Sequence, residues 1–212
     1  MGDHRDERRE YAAGTLSRAD LPEDPLDLFG AWLSQSIDAG VPDATAMALA
    51  TASSKAEPSV RIVLLKEHGP AGFIWFTDYG SRKGLELAAN PQASLAFYWG
   101  PFSRQVRVSG AVSPVDADES RAYFASRPED SRFSAAASDQ SQPIGGRAML
   151  EARVAELRAQ HPEGDVPMPE GWGGYRLLPA HFEFWQGREG RLHDRFAYTK
   201  RGDDWAIDRL QP

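Results

Sequence analysis

The sequence predicts a mainly β fold of the α+β class, in which an antiparallel sheet closes into a barrel beside flanking helices. Short apolar runs of strand length follow one another from residue 45 to residue 112, and again from residue 174 to residue 210. Turns that contain Gly and Pro separate them, which is typical of tight connections. Segments with helical spacing lie before and between these runs. Consecutive short strands of this kind favour an antiparallel meander that closes on itself.

The chain begins with a polar segment, residues 1–24, which we expect to be an arm with little core of its own. A single domain is predicted over residues 25–212. Its first helix begins at Asp24 or Pro25 and stops at Gly40, a residue suited to the left-handed position after a helix. The helical spacing comes from four apolar residues, Leu26, Phe29, Leu33 and Ile37.

The strands fall in two blocks. The first block has five strands, predicted at residues 45–53, 59–66, 72–77, 94–99 and 104–112. We expect Val63, Leu64 and Leu65 to form the buried body of the second of these. The second block has three strands, predicted at residues 174–186, 192–198 and 204–210.

Three further helices are predicted around the strands. The first occupies residues 81–89, between a serine that can cap it and an Asn-Pro pair that ends it. The others occupy residues 116–126 and 145–160, and the last of them has a thin apolar face. A loop rich in Pro and Gly, residues 161–173, leads into the second block of strands.

Composition and charge exclude several classes of function. The 212 residues carry a net charge of -7, so the protein as a whole repels nucleic acid and anionic membranes. The chain has no apolar run near the roughly 18 residues that a membrane helix needs, and its charged start lacks a signal-peptide core. The absence of cysteine excludes thiolate nucleophiles and sulfur-based metal sites. We therefore expect a cytoplasmic protein with small-molecule ligands.

A phosphate-binding turn is predicted in the sequence GSRKG, residues 80–84. If Ser81 caps the helix, Arg82 and Lys83 lie in its first turn, where cations oppose the helix dipole at a cost of roughly 0.3–1 kcal/mol each. The free N–H groups of a helix N-terminus bind phosphate, and two cations strengthen that preference. A solvated Arg-Lys pair is the alternative interpretation.

A second phosphate-binding site is predicted in the sequence ESRAYFASRPEDS, residues 119–131. Tyr123 and Arg127 are four positions apart and share one helix face, Pro128 stops the helix, and Ser131 lies just beyond. Two hydroxyl groups and a guanidinium make good donors to a monophosphate. A Tyr-Arg stack at the surface is the alternative.

Two further segments offer weaker signals. Arg61 and Lys66 stand at the ends of the strand RIVLLK, and an offset of five puts them on opposite faces of an ideal strand. They could contact two ends of one large ligand, or be ordinary charges at strand ends. The loop SDQSQ, residues 138–142, offers amide and hydroxyl groups to a heterocycle or a phosphate.

The stretch EFWQGREGRLHDR, residues 183–195, carries Arg191, His193 and Arg195 at alternate positions. On a strand, a period of two would place all three on one face, where crowded cations require an anion. The turn also contains a GxxG sequence found in some RNA-binding loops, but the acidic net charge argues against that function.

Motifs for other chemistries are absent. The sequence has no P-loop, no dinucleotide fingerprint, no H-E-x-x-H and no G-x-S-x-G, and its five histidines show no metal-ligand spacing. We therefore predict no metal. Grips for phosphate together with aromatic side chains are typical of an enzyme whose cofactor performs the chemistry. The residues alone predict two or more phosphate-bearing ligands.

Eight short motifs also occur in a fixed order along the chain. They are RREY (8–11), RIVLLK (61–66), TDYGSRKG (77–84), FYW with RQVRVSG (97–110), YFASRP with a later serine (123–131), QS (140–141), WGGY (172–175) and EFWQGREGRLHDR (183–195). Each is weak alone, but eight in register are specific, and together they resemble the pyridoxine/pyridoxamine 5′-phosphate oxidases. The resemblance implies a split β-barrel that binds FMN and works as a homodimer, with each flavin at the subunit interface.

The resemblance also assigns site residues. FMN is held in that family by positions that match Arg61, Ile62, Val63, Leu64, Leu65, Lys66, Phe76, Thr77, Arg82, Lys83, Gln105, Gln140, Ser141, Trp185 and Arg195. The substrate phosphate is held by the matches to Lys66, Tyr123, Arg127 and Ser131. Matches to Arg191, Leu192 and His193 meet the pyridine end, with Arg191 and His193 as catalytic residues. A lid over the substrate matches Arg8, Arg9, Glu10 and Tyr11.

Two positions depart from the family pattern. Phe76 occupies a position at which the family has Tyr as often as Phe, and Phe still supplies a ring and backbone groups. Asp78 stands where Asn is common, and it adds negative charge near Arg82 and Lys83. We expect Asp78 either to weaken binding of the flavin phosphate modestly or to pair with one of those cations.

The implied reaction oxidises the 4′ carbon of pyridoxamine or pyridoxine 5′-phosphate to the aldehyde of pyridoxal 5′-phosphate, with O2 as acceptor and H2O2 as product. A related split-barrel flavin enzyme, such as a phenazine-pathway oxidase or a deazaflavin-dependent reductase, is the first alternative. The complete set of substrate-phosphate residues argues against it. A non-catalytic flavin- or haem-binding module is the second alternative, and the presence of Arg191 and His193 argues against that one.

Overall fold

In the computed structural model, which describes residues 5–6 and 10–212, nine antiparallel strands curl around an aromatic core. The strands are β1 (Ala46–Ala52), β2 (Pro58–Leu64), β3 (Glu67–Gly69), β4 (Gly72–Asp78), β5 (Gln92–Trp99), β6 (Arg104–Pro114), β7 (Trp172–Gln186), β8 (Asp194–Arg201) and β9 (Asp204–Arg209). The helices are α1 (Pro25–Asp38), α2 (Arg82–Ala89), α3 (Ala117–Ser126), α4 (Glu129–Ala137) and α5 (Arg147–Gln160). The predicted mainly β fold with flanking helices is therefore confirmed. None of the described helices is long and apolar enough to cross a membrane.

The strand order differs from that of a simple meander. Along the sheet it runs β2-β1-β5-β6-β7-β4-β3, with β8 and β9 continuing from β7. Each strand from β5 to β9 pairs with the next one along the chain, as in a meander. Two further pairings are not consecutive: β1 pairs with β5, and β4 pairs with β7. The predicted meander is wrong at these two pairings, because apolar runs identify strands without identifying their non-sequential partners.

The long strand β7 divides the barrel into two branches. One edge of β7 pairs with β6, while the other edge pairs first with β4 and then with β8. Thr77 of β4 lies opposite Gly173, and Arg195 of β8 lies opposite Trp185. At about 3.3 Å per residue, the path along β7 from Gly173 to Trp185 is roughly 40 Å. Side chains beside its two ends therefore belong to different regions of one chain.

Helix α1 closes the barrel and supplies part of its core. The Asp24 side chain accepts from the N–H of Leu26 at 2.9 Å, and Pro25 occupies the first turn, as the sequence predicts. The Phe29 ring lies 4.9 Å from Phe73 and 5.0 Å from Phe97. Other buried side chains of this face are Leu28, Trp32, Leu33 and Ser36.

Three predicted core positions are exposed instead. Ile37 is 52% exposed. It follows Phe29 by eight positions, so its side chain points about 80° away from that of Phe29 around the helix axis. Leu64 is 43% exposed, because β2 is an edge strand whose alternate side chains face outward. The thin apolar face of α5 buries no residue, and Met149 is 53% exposed.

Two element boundaries near the predicted phosphate grip and the C-terminal strands also differ. Residues 129–137 form α4, so Ser131 lies in the first turn of a helix rather than beyond a helix end. Pro128 can precede a new helix as readily as it ends the previous one. Strand β8 begins at Asp194, and Arg191 ends a 3-10 turn with φ of +65°. The expectation that Arg191, His193 and Arg195 share one strand face is therefore wrong, since the left-handed residue interrupts the extended chain.

Candidate active site

A cavity of about 840 Å³, here called the central cavity, lies between β2, β4 and the corner of α3 and α4. It brings together residues that the family resemblance assigned to FMN and residues that it assigned to the substrate phosphate. These are Arg61, Ile62, Val63, Leu64, Lys66, Phe76, Thr77, Lys83, Tyr123, Arg127, Ser131 and Gln140. Arg61 and Lys66 both line the cavity, although a five-residue offset would place them on opposite faces of a strand. The alternation of faces does not reach Lys66, because β2 ends at Leu64.

Lys83 is a buried cation in this cavity, with 7% of its surface exposed. Its Nζ donates to Thr77 Oγ1 at 2.9 Å, to Ser81 Oγ at 3.1 Å and to Gln140 Oε1 at 2.5 Å. Burial lowers the pKa of Lys83 to about 8, and the positive charge of Arg61 adds to the effect. Neutral oxygens accept all three hydrogen bonds, so an anion beside Nζ would be strongly stabilised.

The start of α2 places Lys83 there. Ser81 caps the helix, since its Oγ accepts from the N–H of Gly84 at 3.4 Å. A Cβ at position 84 would lie 2.1 Å from the carbonyl oxygen of Tyr79, so only glycine permits this close approach. The predicted first turn with Arg82 and Lys83 is confirmed.

Asp78 has a structural partner of its own. Its Oδ1 accepts from the N–H of Gly80 at 2.6 Å, which shapes the turn before α2. Its negative charge raises the pKa of Lys83 against the larger effect of burial. Arg82 donates instead to Glu86, four positions later, at 2.9 Å. Arg82 and Ser141 line a second, smaller cavity of about 330 Å³ rather than the central one.

A second group of anion donors surrounds Arg127. The guanidinium stacks over Trp172 with 4.9 Å to the ring centre, and its Nη1 is buried without a hydrogen-bond partner among the residues that the structure describes. Burial lowers the pKa of Arg127, which means that its charge is poorly solvated. A buried, unsatisfied guanidinium nitrogen beside a cavity indicates an anion site.

Three flat rings form a wall of the central cavity. The ring centres of Phe76 and Tyr123 lie 3.8 Å apart, and their planes differ by 16°. The ring centre of Trp172 lies 5.5 Å from that of Phe76, and the planes of Trp172 and Tyr123 differ by 4°. Trp172 was not assigned a role from the sequence, although it begins the WGGY motif. Parallel rings beside anion donors suit a ligand that carries both an aromatic ring and a phosphate.

The remaining predicted residues cluster at the other end of β7. The Trp185 ring lies 4.7 Å from His193 and 5.5 Å from Tyr11. His193 Nδ1 accepts from the N–H of Arg188 at 3.1 Å, so the neutral imidazole carries its proton on Nε2. Burial, followed by the charges of Arg191 and Arg195, lowers the pKa of His193. The imidazole is therefore neutral at pH 7.

Arg195 and its neighbours in the sheet complete this cluster. Arg195 Nε donates to the buried Glu183 at 2.9 Å, and Nη1 donates to the carbonyl oxygen of Gln211 at 2.7 Å. Gln105 lies directly opposite Trp185 in the β6–β7 register. Leu192 is 73% exposed. We call the group of Gln105, Trp185, Arg191, His193 and Arg195 the β7-end cluster.

The described part of the arm packs onto the β7-end cluster. The buried Asp194 accepts from the N–H of Leu16 at 3.1 Å, and from Arg188 Nη1 at 2.8 Å. Glu10 Oε2 accepts from the N–H of Gly190 at 3.3 Å, and Tyr11 contacts His193. Leu16 and Leu21 join the barrel core, so the arm shares that core. The lid residues Arg8 and Arg9 lie outside the described residues.

The predicted site residues thus form two groups in one chain. The central cavity holds the residues expected around the cofactor phosphate and the substrate phosphate. The β7-end cluster holds Arg191 and His193, which the resemblance assigns to catalysis, at the opposite end of a long strand. Three predicted cofactor residues belong to neither group: Leu65 is buried in the core with 4% exposure, and Arg82 and Ser141 line the second cavity.

A β-barrel whose cavity contains two groups of anion donors and a set of stacked aromatic rings is typical of a protein that binds phosphorylated ring compounds. Comparison with known proteins is more specific. Residues 33–161 match the family model described as pyridoxamine 5′-phosphate oxidase, and residues 172–212 match the one described as the pyridoxine 5′-phosphate oxidase C-terminal dimerisation region. The chain belongs to the pyridoxamine 5′-phosphate oxidase family.

Individual relatives agree with this assignment. The chain is 48% identical to a pyridoxine/pyridoxamine 5′-phosphate oxidase of Shewanella sp. (strain MR-4) over 212 residues, which is all of both chains. Its structure is similar to that of PhzG from Burkholderia lata 383 in complex with tetrahydrophenazine-1-carboxylic acid, with 34% identity, a TM-score of 0.88 and coverage of 93% and 98%. An FMN-binding protein from Nostoc punctiforme shares the fold at 17% identity and a TM-score of 0.70, over 89% and 98% of the two chains.

Proposed function

We propose that this chain is an FMN-dependent oxidase that converts pyridoxamine 5′-phosphate and pyridoxine 5′-phosphate to pyridoxal 5′-phosphate. One observation carries the proposal: the central cavity contains two separate groups of anion donors, one around Lys83 and one around Arg127. A cofactor and a substrate that each carry a phosphate account for both groups. The full-length relatives named as oxidases of this kind support the same reaction.

The donors around Lys83 fit the phosphate of FMN. Lys83 Nζ would face the phosphate, with Thr77 and Gln140 holding the ammonium in place. The backbone of residues 61–66 and the ring of Phe76 would line the flavin. When bound, FMN supplies a hydride acceptor for the 4′ carbon, and O2 serves as the final electron acceptor with H2O2 as product.

The donors around Arg127 fit the substrate phosphate. Arg127 would donate from its unsatisfied Nη1, and the hydroxyl groups of Tyr123 and Ser131 line the same cavity. Hydrogen bonds to charged groups contribute about 1.5–3 kcal/mol each, so several select a phosphorylated substrate over its unphosphorylated form. The stacked rings of Phe76 and Tyr123 would help to hold the pyridine flat, which favours reaction through orientation.

A second copy of the chain completes the site in this proposal. The catalytic Arg191 and His193 lie at the far end of β7 from the central cavity of their own chain. In a two-fold dimer they would reach the cavity of the other copy, which places FMN at the interface. The match of residues 172–212 to a dimerisation region supports this arrangement.

An exposed apolar edge beside the cavity gives the dimer independent support. Val60 and Ile62 of the edge strand β2 are 68% and 67% exposed, and Ile62 also lines the central cavity. Neighbouring β1 presents small side chains, since Ala48 lies opposite Ile62 and Ala50 opposite Val60. An apolar edge strand of this kind requires a cover, and a second copy provides it next to the flavin.

The structural similarity to PhzG favours one other candidate, an oxidase for a tricyclic aromatic acid. The carboxylate of such an acid could also accept from Arg127 Nη1, but a phosphate has three oxygens to accept from Arg127 and from the hydroxyl groups of Tyr123 and Ser131 in the same cavity. An oxygen-consumption assay with FMN decides between the two. We expect pyridoxine 5′-phosphate to be oxidised and unphosphorylated pyridoxine to react far more slowly. Equal rates for the two would contradict the proposed function.

The affinity for FMN is expected to fall by about tenfold per pH unit well above pH 8. The reason is that the pKa of Lys83 is lowered to about 8 in the free protein, so the ammonium loses its proton above that value. Below pH 8 Lys83 is already protonated in the free protein, so its titration does not affect FMN binding. Above pH 8 the free protein has lost this proton, and FMN binding must restore it because the phosphate stabilises the ammonium, so the affinity falls as pH rises. Dissociation constants measured by flavin fluorescence from pH 6.5 to 9.5 test this.

The Lys83→Arg variant is the control for this pH dependence. Arginine stays protonated throughout the range, so its affinity for FMN should stay level above pH 8 even if the absolute value is lower. A decline of the same steepness in the variant would show that a group other than Lys83 titrates.

The Val60→Glu variant is expected to weaken the dimer and to lose FMN with it. A carboxylate in the middle of the apolar edge would be buried against the second copy at a desolvation cost that valine does not carry. Analytical ultracentrifugation with and without FMN measures both effects. Met149→Glu is the matched control, because Met149 is similarly exposed on α5. A dimer that persists in Val60→Glu would contradict the assignment of this edge to the interface.

A further inference from the structure

Glu86 is a buried carboxylate that lies between two arginines of the cofactor site. It is 6% exposed and occupies α2, one turn after Arg82. One oxygen, Oε1, accepts from Arg82 Nε at 2.9 Å. The other, Oε2, lies 3.4 Å from Arg61 Nη2. The sequence-based interpretation gave Glu86 no role, although its i, i+4 spacing from Arg82 indicates an ion pair.

Two hydroxyl groups fix this carboxylate in place. Thr51 and Ser59 lie opposite each other on β1 and β2, and both donate to Glu86 Oε2 at 2.5 Å. Arg61 is held by the same residues, since its Nη1 donates to Thr51 Oγ1 at 2.6 Å and its Nη2 donates to Ser59. The hydrogen bonds outweigh the effect of burial and lower the pKa of Glu86 to about 2, so Glu86 is ionised throughout the physiological range.

Three cations converge on this part of the protein. The charge of Arg82 lowers the pKa of Arg61, and the charge of Arg61 lowers the pKa of Lys83, so the three repel one another. The carboxylates of Glu86 and Asp78 offset two of these charges, so the group keeps a net charge of about +1, which attracts the -1.5 to -2 of a phosphate monoester. Glu86 pairs with both guanidinium groups and so holds them on either side of one carboxylate.

We propose that Glu86 is a positioning residue for the cofactor phosphate: it holds the guanidinium groups of Arg61 and Arg82 in the orientation that binds the phosphate of FMN. This inference rests on the proposed function, because it concerns the same FMN site. It adds a residue outside the central cavity that acts through Arg61, which lines that cavity, and through Arg82, which the family resemblance assigns to FMN. Thr51 and Ser59 anchor it to the sheet.

The proposal makes a prediction opposite in sign to simple charge attraction. Glu86→Gln removes a negative charge near the phosphate, which by Coulomb attraction alone would strengthen FMN binding. If Glu86 acts by positioning, the same change weakens binding, because an amide presents only one oxygen to the donors that the two carboxylate oxygens now satisfy. The direction of the change therefore separates the two mechanisms.

The test compares FMN with riboflavin, which lacks the phosphate. Dissociation constants for both are measured by flavin fluorescence quenching at pH 7 on the wild-type protein, Glu86→Gln and Thr51→Val. We expect Glu86→Gln to bind FMN about tenfold or more weakly, as is common when a group that orients a ligand is removed, and to bind riboflavin within about twofold of wild type. Thr51→Val, which removes one anchor, should weaken FMN binding by a smaller factor.

Glu151→Gln is the matched control. Glu151 also accepts from an arginine four positions earlier on a helix, Arg147, at 2.6 Å, but this pair is exposed on α5. We expect its affinity for FMN to equal that of wild type. Thermal unfolding of each protein without flavin shows whether it is folded, and Thr51→Val provides the test if Glu86→Gln is not.

The outcomes are distinguishable. Unchanged or stronger FMN binding in Glu86→Gln would overturn the proposal, and so would an equal loss of FMN and riboflavin affinity, which indicates a merely structural role. A wild-type protein that does not prefer FMN to riboflavin would overturn the proposed function itself, before any variant is measured. A loss confined to FMN supports the positioning role.

Discussion

Replacing Arg127 with alanine is expected to raise KM for pyridoxine 5′-phosphate by about 100-fold or more. Arg127 Nη1 is buried without a hydrogen-bond partner in the described part of the chain, and the guanidinium stacks over Trp172. Two charge-assisted hydrogen bonds to a phosphate, at about 1.5–3 kcal/mol each, correspond to a loss of this size. The phosphate lies far from the reacting carbon, so kcat at saturating substrate should change much less.

Steady-state kinetics with the phosphorylated substrate, together with the dissociation constant for FMN, test this prediction. Affinity for FMN should stay within about twofold of wild type, because in the proposed site the cofactor phosphate lies at Lys83. Arg121→Ala is the control: Arg121 lies on α3, which ends just before Arg127, but it is exposed and pairs with Asp118. An unchanged KM in Arg127→Ala would remove the substrate phosphate from this part of the cavity.

Local sequence signals predicted the turn at the start of α2 well. The serine cap of α2 and the cations in its first turn depend on neighbouring residues only, and the structure confirms both. The predictions for α2 succeeded because the geometry of a helix and its caps is fixed within a few residues. Tyr123 and Arg127 do line one cavity, but the prediction that they share a helix face is wrong, because α3 ends at Ser126 and Arg127 has an extended backbone.

Features set by distant pairings could not be predicted in the same way. Glu86 gains its role from Thr51 and Ser59, which meet it only because β1 and β2 pair beside α2. The separation of the β7-end cluster from the central cavity depends on which strands flank β7, and the apolar runs do not specify that. The left-handed conformation of Arg191 had no signal, because such conformations are favoured by Gly and Asn rather than by Arg.

Replacing Arg191 with alanine is expected to lower kcat by about 100-fold while FMN binding stays nearly intact, the size of effect that follows the loss of one donor that stabilises charge in the transition state. Arg191 lies beside His193 and helps to keep the pKa of that imidazole low. Its removal should therefore also raise the pKa of His193 and shift the acidic limb of the pH–rate profile upward. Loss of flavin with unchanged turnover per bound flavin would show that Arg191 belongs to the cofactor instead.

The backbone of Arg191 provides a control within the same residue. Its φ of +65° is strained for alanine as for arginine but relaxed for glycine. Arg191→Ala and Arg191→Gly should therefore lose turnover equally if the guanidinium matters. A much milder loss in the glycine variant would show that turnover depends on keeping the left-handed backbone at position 191 rather than on the guanidinium.

Mixed dimers of Arg127→Ala and Arg191→Ala then test where the catalytic pair acts. If Arg191 serves the central cavity of the other copy, each mixed dimer contains one site with both arginines and one with neither. At substrate concentrations far below the raised KM of Arg127→Ala, both parents turn over slowly. Random mixing would then restore about a quarter of wild-type activity, since half the dimers would carry one intact site. If both arginines served a cavity of their own chain, every site would keep one defect and mixing would restore nothing. Recovery after mixing therefore requires a site shared between the two copies.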